Sequence, residues 1–340
     1  MQVFPIEINW NPDMPIFSRE QFLKAVGDEY GWLGGFREDG KLEFILPYTI
    51  IKKAFLRLVR FRVETIKLNL TSSLLEEKEF LNSCVNYFRS KGADVIMPAT
   101  TNSIFQTFPD GAIAAPYGTY IIDLKQSEET LWKNIERITR QNIKRATKLG
   151  VMIEKYAGPL EPIYKLIRST FKRSSLPFMD FNSFTRFCEG LAEYGQILRA
   201  HLDGEMQSCV VFAYSNYCAY AVYAGNADHL VQGANKLLYW EAICHFKNLG
   251  VRRYDFVGTR INPAKGSKQE ALSTFKKHFG CTLVQGYIWK YPLNRFKYNL
   301  YSLGAKLRSG GDIVDAEKHK MKYYKPDLTS ALSTKDQDNN

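Results

Sequence analysis

Residues 195–214 read GQILRAHLDGEMQSCVVFAY. Two apolar runs flank Asp203-Gly204, and Asp-Gly between such runs is a strong signal for two antiparallel strands joined by a tight turn. Residues 31–48, GWLGGFREDGKLEFILPY, carry the same signature around Asp39-Gly40. Each strand pair is followed by a helix-like segment that ends in Phe-x-x-x-Gly and leads into a short apolar run. The first is EEKEFLNSCVNYFRSKGADVIMP, with Phe88 and Gly92; the second is NKLLYWEAICHFKNLGVRRYDFVG, with Phe246 and Gly250. Gly92 follows Gly40 by 52 residues, and Gly250 follows Gly204 by 46. Order and spacing both recur, and such an internal repeat predicts two α/β units of similar build.

At 340 residues, with 45% hydrophobic and 14% aromatic side chains, the chain is long enough for two packed domains. The expected boundaries are 1–152 and 153–310, with a C-terminal helix and a polar, disordered tail in 311–340. Six cysteines occur without CxxC spacing, and the five histidines form no HExxH, so a metal site is not expected. No GxSxG or Walker A motif is present, which disfavours a covalent serine relay or P-loop chemistry. The N-terminus shows no signal-peptide pattern, and the most apolar run, FILPYTIIKKAFL, is too short and too charged to span a bilayer. A cytoplasmic protein is expected.

The net charge is +11, and it is concentrated. Residues 133–148 hold six basic side chains and one acid; residues 263–325 hold thirteen and four. The periodicity predicts one helix from the N-cap Ser127 to Gly150, with Leu131, Ile135 and Ile138 on its apolar face. Lys133, Arg137, Arg140, Lys144 and Lys148 then form one stripe about 22 Å long. The stripe suits an anionic partner or a solubilising face.

Three further stretches can carry chemistry. After the strand that contains Tyr223 and Asn226, the loop Gln232-Gly233-Ala234-Asn235-Lys236 opens a helix, and backbone N–H groups there can bind a phosphate. In YDFVGT, 254–259, Asp255 sits in an apolar strand before Gly258 and Thr259, either as a structural hydrogen-bonding group or as part of a site. In ALSTFKKHFGC, 271–281, Leu272, Phe275 and Phe279 predict the buried stripe of a helix. Lys276 lies beside that stripe, where it can be held at a cleft.

Taken together, YIIDLKQSEETLWKNIERITRQNIKRATKLGV, GANKLLYW, DF-x-G at Asp255, Phe256 and Gly258, and FK-x-x-FG at Phe275, Lys276, Phe279 and Gly280 resemble the FemABX family. BioF2-like and CelD-like acetyltransferases are relatives in the same branch of the GNAT acyltransferase superfamily. The resemblance covers about residues 118–300. It implies an α/β fold of two tandem GNAT-like domains, each a mixed, mostly antiparallel sheet flanked by helices, with a cleft between them. It also implies an acyltransferase, in which an amine attacks an ester or thioester carbonyl directly. By resemblance Lys276 faces the developing oxyanion, with Asp255 as base or amine-orienting group. Expected donor contacts are Gln232 to Lys236, and expected substrate contacts are Tyr223, Asn226, Thr259, Phe275, Arg137, Arg140 and Lys144. The donor is acyl-CoA or, in the FemABX alternative, aminoacyl-tRNA. The acceptor is an amine, in that alternative a peptidoglycan or other cell-envelope precursor. A non-catalytic binding module with the same fold is the third possibility.

Overall fold

The computed structural model describes residues 1–69, 71–309 and 311–321. The polar tail expected to be disordered lies outside the described residues. The strands are β1 (Gln2–Ile6), β2 (Glu29–Phe36), β3 (Leu42–Lys53), β4 (Leu56–Phe61), β5 (Ile66–Lys67), β6 (Val95–Ile96), β7 (Ile113–Asp123), β8 (Met152–Lys155), β9 (Gly195–Leu202), β10 (Glu205–Tyr214), β11 (Ala219–Asn226), β12 (Arg253–Asp255) and β13 (Thr282–Pro292). The helices are α1 (Glu20–Val26), α2 (Leu74–Ser90), α3 (Glu128–Asn134), α4 (Arg137–Lys148), α5 (Leu160–Arg173), α6 (Phe181–Leu191), α7 (Ala234–Asn248), α8 (Lys268–Lys277), α9 (Arg295–Ser309) and α10 (Ile313–Met321).

Both strand pairs form as the sequence implies: β2 with β3, and β9 with β10. Their turns differ. Asp203 and Gly204 both take positive φ, 50° and 81°, the two-residue turn that matches strand twist. At the first turn only Gly40 does so, and Asp39 accepts a bond from the Lys41 N–H across a longer loop. The helices that follow, α2 and α7, end identically. Gly92 and Gly250 are left-handed, and the next N–H reaches back to a buried phenylalanine carbonyl: Ala93 to Phe88 at 3.0 Å and Val251 to Phe246 at 3.1 Å. Each helix then feeds a short strand that runs parallel to an earlier strand of its own half. β4 pairs β6, and β11 pairs β12, over two residue pairs each. Every other strand pair among the described residues is antiparallel. The repeat is therefore architectural: an α/β fold built twice.

The two halves share one thirteen-stranded sheet, ordered β1-β2-β3-β4-β6-β13-β7-β12-β11-β10-β9-β8, with β5 on β3. The junction is β13, which pairs β7 over Thr282–Lys290 and β6 over Tyr291–Pro292. A cut at residues 152/153 separates β7 from its partners β12 and β13, so the halves exchange strands rather than meet at a linker. Trp289 of β13 lies in the first-half core, 5.4 Å from both the Phe61 and Phe105 rings. A second core centres on Phe212, Leu238, Phe246 and Tyr254, and a third, with Phe17, Phe22, Phe184 and Tyr220, joins the halves.

The helix expected from Ser127 to Gly150 is two helices. Ile135 and Glu136 are extended between α3 and α4, and the Glu136 N–H bonds the His278 carbonyl instead of a helical one. The break shifts the phase, so Leu131 and Ile135 are buried while Ile138 is 52% exposed. It also divides the cationic stripe. Arg140 turns inward and caps α3, donating to the carbonyls of Trp132, Lys133 and Ile135.

Ser73 opens α2 with a complete capping box. Its hydroxyl accepts from the Glu76 N–H at 3.2 Å, and its own N–H bonds the Glu76 carboxylate at 2.7 Å. Ser73→Ala is expected to cost about 1 kcal/mol, read as a lower urea midpoint at unchanged slope.

Candidate active site

β12 ends at Asp255 and does not simply stop. The Phe256 N–H bonds the Tyr120 carbonyl of β7, and the Thr259 N–H bonds the Gly118 carbonyl. Val257 and Gly258 therefore stand opposite the single residue Thr119, which makes a β-bulge. Both take left-handed φ, 43° and 45°. For a β-branched valine that is a strained conformation, and such strain collects where a backbone must present particular groups. What this bulge presents is two carbonyls. Lys276 of α8 donates its ammonium to Val257 O at 2.5 Å and to Gly258 O at 2.6 Å. Asp255 fixes the other side. Its Oδ1 accepts from the Thr119 hydroxyl and, at 2.7 Å, from the Val257 N–H.

The charges follow from burial. Desolvation pulls Lys276 down to about 8, opposed by the nearby Asp255 carboxylate. Burial also pushes Asp255 above the usual carboxylate range, opposed by Thr119, the Val257 N–H, Arg253 and Lys276. An ammonium has three N–H donors. Two are used on the bulge, and one remains.

α8 is held by Phe279, which is buried, and by Phe275, packed against Tyr239 and Phe279 at ring distances of 5.3 and 5.4 Å. Leu272 does not join them and is 50% exposed. The middle of α8 buries Ser273 instead, whose hydroxyl lies 2.9 Å from that of Thr259. Thr259 thus pins α8 to the bulge.

A cavity of about 600 Å³ lies between the two halves; Asp255, Thr259 and Lys276 do not line it, and the bulge meets its wall through Gly258. Thr101 forms part of its wall, and a Cβ placed on Gly258 would stand 2.9 Å from the Thr101 Cβ. Tyr223 lines the cavity, within an aromatic group of Phe171, Phe178, Phe184 and Phe187. Burial pushes its hydroxyl up to about 12. Arg60 and Arg62 of the opposite wall were not singled out from the sequence. Arg62 is buried and bonds Thr49 Oγ1 and Val26 O at 2.9 and 2.6 Å. The Arg60 Nε is buried without a hydrogen-bond partner. Among the described residues neither guanidinium pairs with a carboxylate, and burial penalises the charge of both. Their i, i+2 spacing in LRLVRFRV is the available signal: two of its three arginines fall on one face, with Arg57 on the other.

The remaining expected residues separate. Gly233 and Ala234 are buried against α4. Gly233 has φ 91°, and a Cβ there would lie 2.1 Å from the Asn142 carbonyl. Gln232 bonds Asn142 Oδ1 at 2.9 Å. This leaves Asn235 and Lys236 as the half-buried polar residues of that loop, with Lys236 beside a groove along α8 that includes Ser267, Phe275 and His278. Asn226 ties the end of β11 to Thr170 of α5 and Ser208 of β10. Arg137 and Lys144 are exposed on α4, and Arg140 is the helix clamp described above.

Residues 133–269 match the model of an acetyltransferase (GNAT) domain. The structure is similar to that of FemX, with a TM-score of 0.65 at 16% identity, covering 88% of this chain and 99% of that one. It is also similar to the C-terminal domain of a protein assigned as a lysylphosphatidylglycerol synthetase of Agrobacterium fabrum. There the TM-score is 0.52 at 14% identity, covering 88% and 96% of the two chains. No curated protein matches the sequence. Residues 133–269 of this chain are thus similar to a GNAT acetyltransferase domain, and the chain has the fold of FemX.

Proposed function

We propose that this protein is an N-acyltransferase that moves an acyl group from an activated ester or thioester to an amine on an acidic substrate. The observation that carries the reading is Lys276, a cation fixed on a strained bulge that meets, at Thr101, the wall of a cavity carrying Arg60 and Arg62. The acceptor nitrogen attacks the donor carbonyl, and a C–N bond forms as the carbonyl π pair moves to oxygen. The remaining Lys276 N–H stabilises that oxyanion, in a site where charge is poorly screened. Collapse breaks the C–S or C–O bond, and the leaving group takes the proton released by the amine. Asp255, with Oδ1 occupied by Thr119 and Val257, acts mainly as a positioning residue that shapes the bulge and holds Lys276 protonated. Lys236, in the groove along α8, is the donor contact in this scheme.

Arg60 and Arg62 give the cavity its preference for a carboxylate or phosphate on the substrate. Arg60→Met is expected to raise KM for an acidic amine substrate roughly 10- to 100-fold, the loss of a charge-assisted hydrogen bond, with kcat little changed. The test is an acyl-transfer screen of acidic against neutral amines with acyl-CoA donors. Equal KM for both classes in the wild type would remove the acidic-substrate claim. For the aminoacyl-tRNA alternative, Arg137, Lys144 and Lys148 remain exposed on α4. Titration with tRNA at two salt concentrations decides it, because phosphate contacts weaken steeply with salt.

A further inference from the structure

Helix α9 carries its apolar side chains on the wrong face for a helix that only covers a core. Phe296, Leu300, Leu303 and Leu307 are 73, 39, 55 and 81% exposed. They fall at offsets 0, 4, 7 and 11, a single stripe within about 60° at ~100° per residue. The inward face is made by tyrosines: Tyr298 lies beneath the Lys290 ammonium at 5.6 Å, and Tyr301 is half-buried next to it. Scattered single apolar residues on a surface need no explanation, but a contiguous stripe does.

The flanks name the partner. RFKYNLYSLGAKLRS contains Arg295, Lys297, Lys306 and Arg308 and no acid. Arg295 and Lys306 lie on the same flank of the stripe, ~90–110° from its centre. Lys297 reaches sideways to Asp94 Oδ1 at 2.9 Å and to the Phe55 carbonyl at 3.2 Å. That second bond brings the β3–β4 turn beside α9. At its tip Phe55 is 60% exposed, next to the exposed Lys53. An apolar stripe edged by cations, on fifteen residues too few to cross a bilayer, suits a helix lying in the plane of a lipid interface.

We propose that this face of α9, with Phe55 beside it, docks the protein on an anionic membrane surface. The charge selects the occupant: a second copy of the chain would set cation against cation along the same ridge, whereas acidic headgroups neutralise it. The proposal stands independently of the acyl-transfer reading.

The test is flotation of the full chain with vesicles of phosphatidylcholine, alone or mixed with phosphatidylglycerol. The chain is expected to float with the mixed vesicles at low salt, to be released as salt rises, and to ignore phosphatidylcholine alone. Leu303→Glu and Leu307→Glu are expected to lose tenfold or more in partitioning, and Lys306→Glu about fivefold or more. These are exposed positions, so an unchanged thermal transition accompanies the loss. Three results overturn the proposal. One is failure of the wild type to bind anionic vesicles at low salt. Another is equal binding by Leu303→Glu. The third is a dimer that Leu303→Glu dissolves, which would give the stripe a different occupant.

Discussion

Replacing Lys276 with alanine is expected to lower kcat by roughly 10²- to 10³-fold while the chain remains folded, the range seen when one oxyanion donor is removed. The loss should appear in kcat rather than KM, because the interaction strengthens only as charge develops on the carbonyl oxygen. The pH profile supplies an independent readout. Lys276 is held down at about 8 by burial, so the cation is lost as pH rises through that value rather than near 10.5. The alkaline limb of kcat should therefore fall from about pH 8, and Lys276→Arg should move that limb upward while retaining part of the rate. On the acid side, Asp255 is raised above 3.8 by burial, and protonating it removes the charge that helps to keep Lys276 protonated. The linkage for stability has a definite sign. The unfolded chain holds the Lys276 proton more tightly than the folded one, so this group adds stability as pH rises from about 8 to 10.5. Full transfer activity in the alanine variant would reduce Lys276 to a structural tie between α8 and the bulge.

Gly233→Ala is expected to be the most destabilising single-methyl change in the C-terminal half, by roughly 3 kcal/mol or more. Two costs combine. At φ 91° an alanine pays about 1–2 kcal/mol for left-handed backbone. Its Cβ would also stand 2.1 Å from the Asn142 carbonyl, and a backbone carbonyl cannot rotate out of the way as a side chain can. α4 cannot retreat either, because Ile143 and Ala146 anchor it in the core. Urea unfolding reads the change. A loss below about 1 kcal/mol would mean that α4 and α7 are less tightly joined than the geometry requires.

Local rules made the repeat legible. Asp-Gly turns, Phe-x-x-x-Gly helix ends and alternating strands each act over a few residues, and each formed twice. The anchoring of α8 by Phe275 and Phe279 was legible for the same reason. The Ser127–Gly150 helix was misread because its break is imposed from outside, by the His278 carbonyl that takes the Glu136 N–H. Periodicity alone cannot register a bond to a residue about 140 positions away. Leu272 failed likewise: Thr259 gives Ser273 a buried partner, and that contact sets which face of α8 turns inward. Arg60 and Arg62 were missed because one strand face means nothing until the opposite wall, with Phe178 and Tyr223, arrives from the other half. The phosphate loop looked open in sequence because nothing there shows α4 seated on Gly233.

The shared strand β13 also governs how this chain can be made. Trp289 completes a core whose other walls, Phe61 and Phe105, leave the ribosome long before it. Until β13 emerges, the amino-terminal half waits with an unfilled interior and an unpaired edge at β6, the kind of surface on which chaperones act. Synthesis order and folding order are therefore opposed, and the seam between the halves is closed from the carboxyl end.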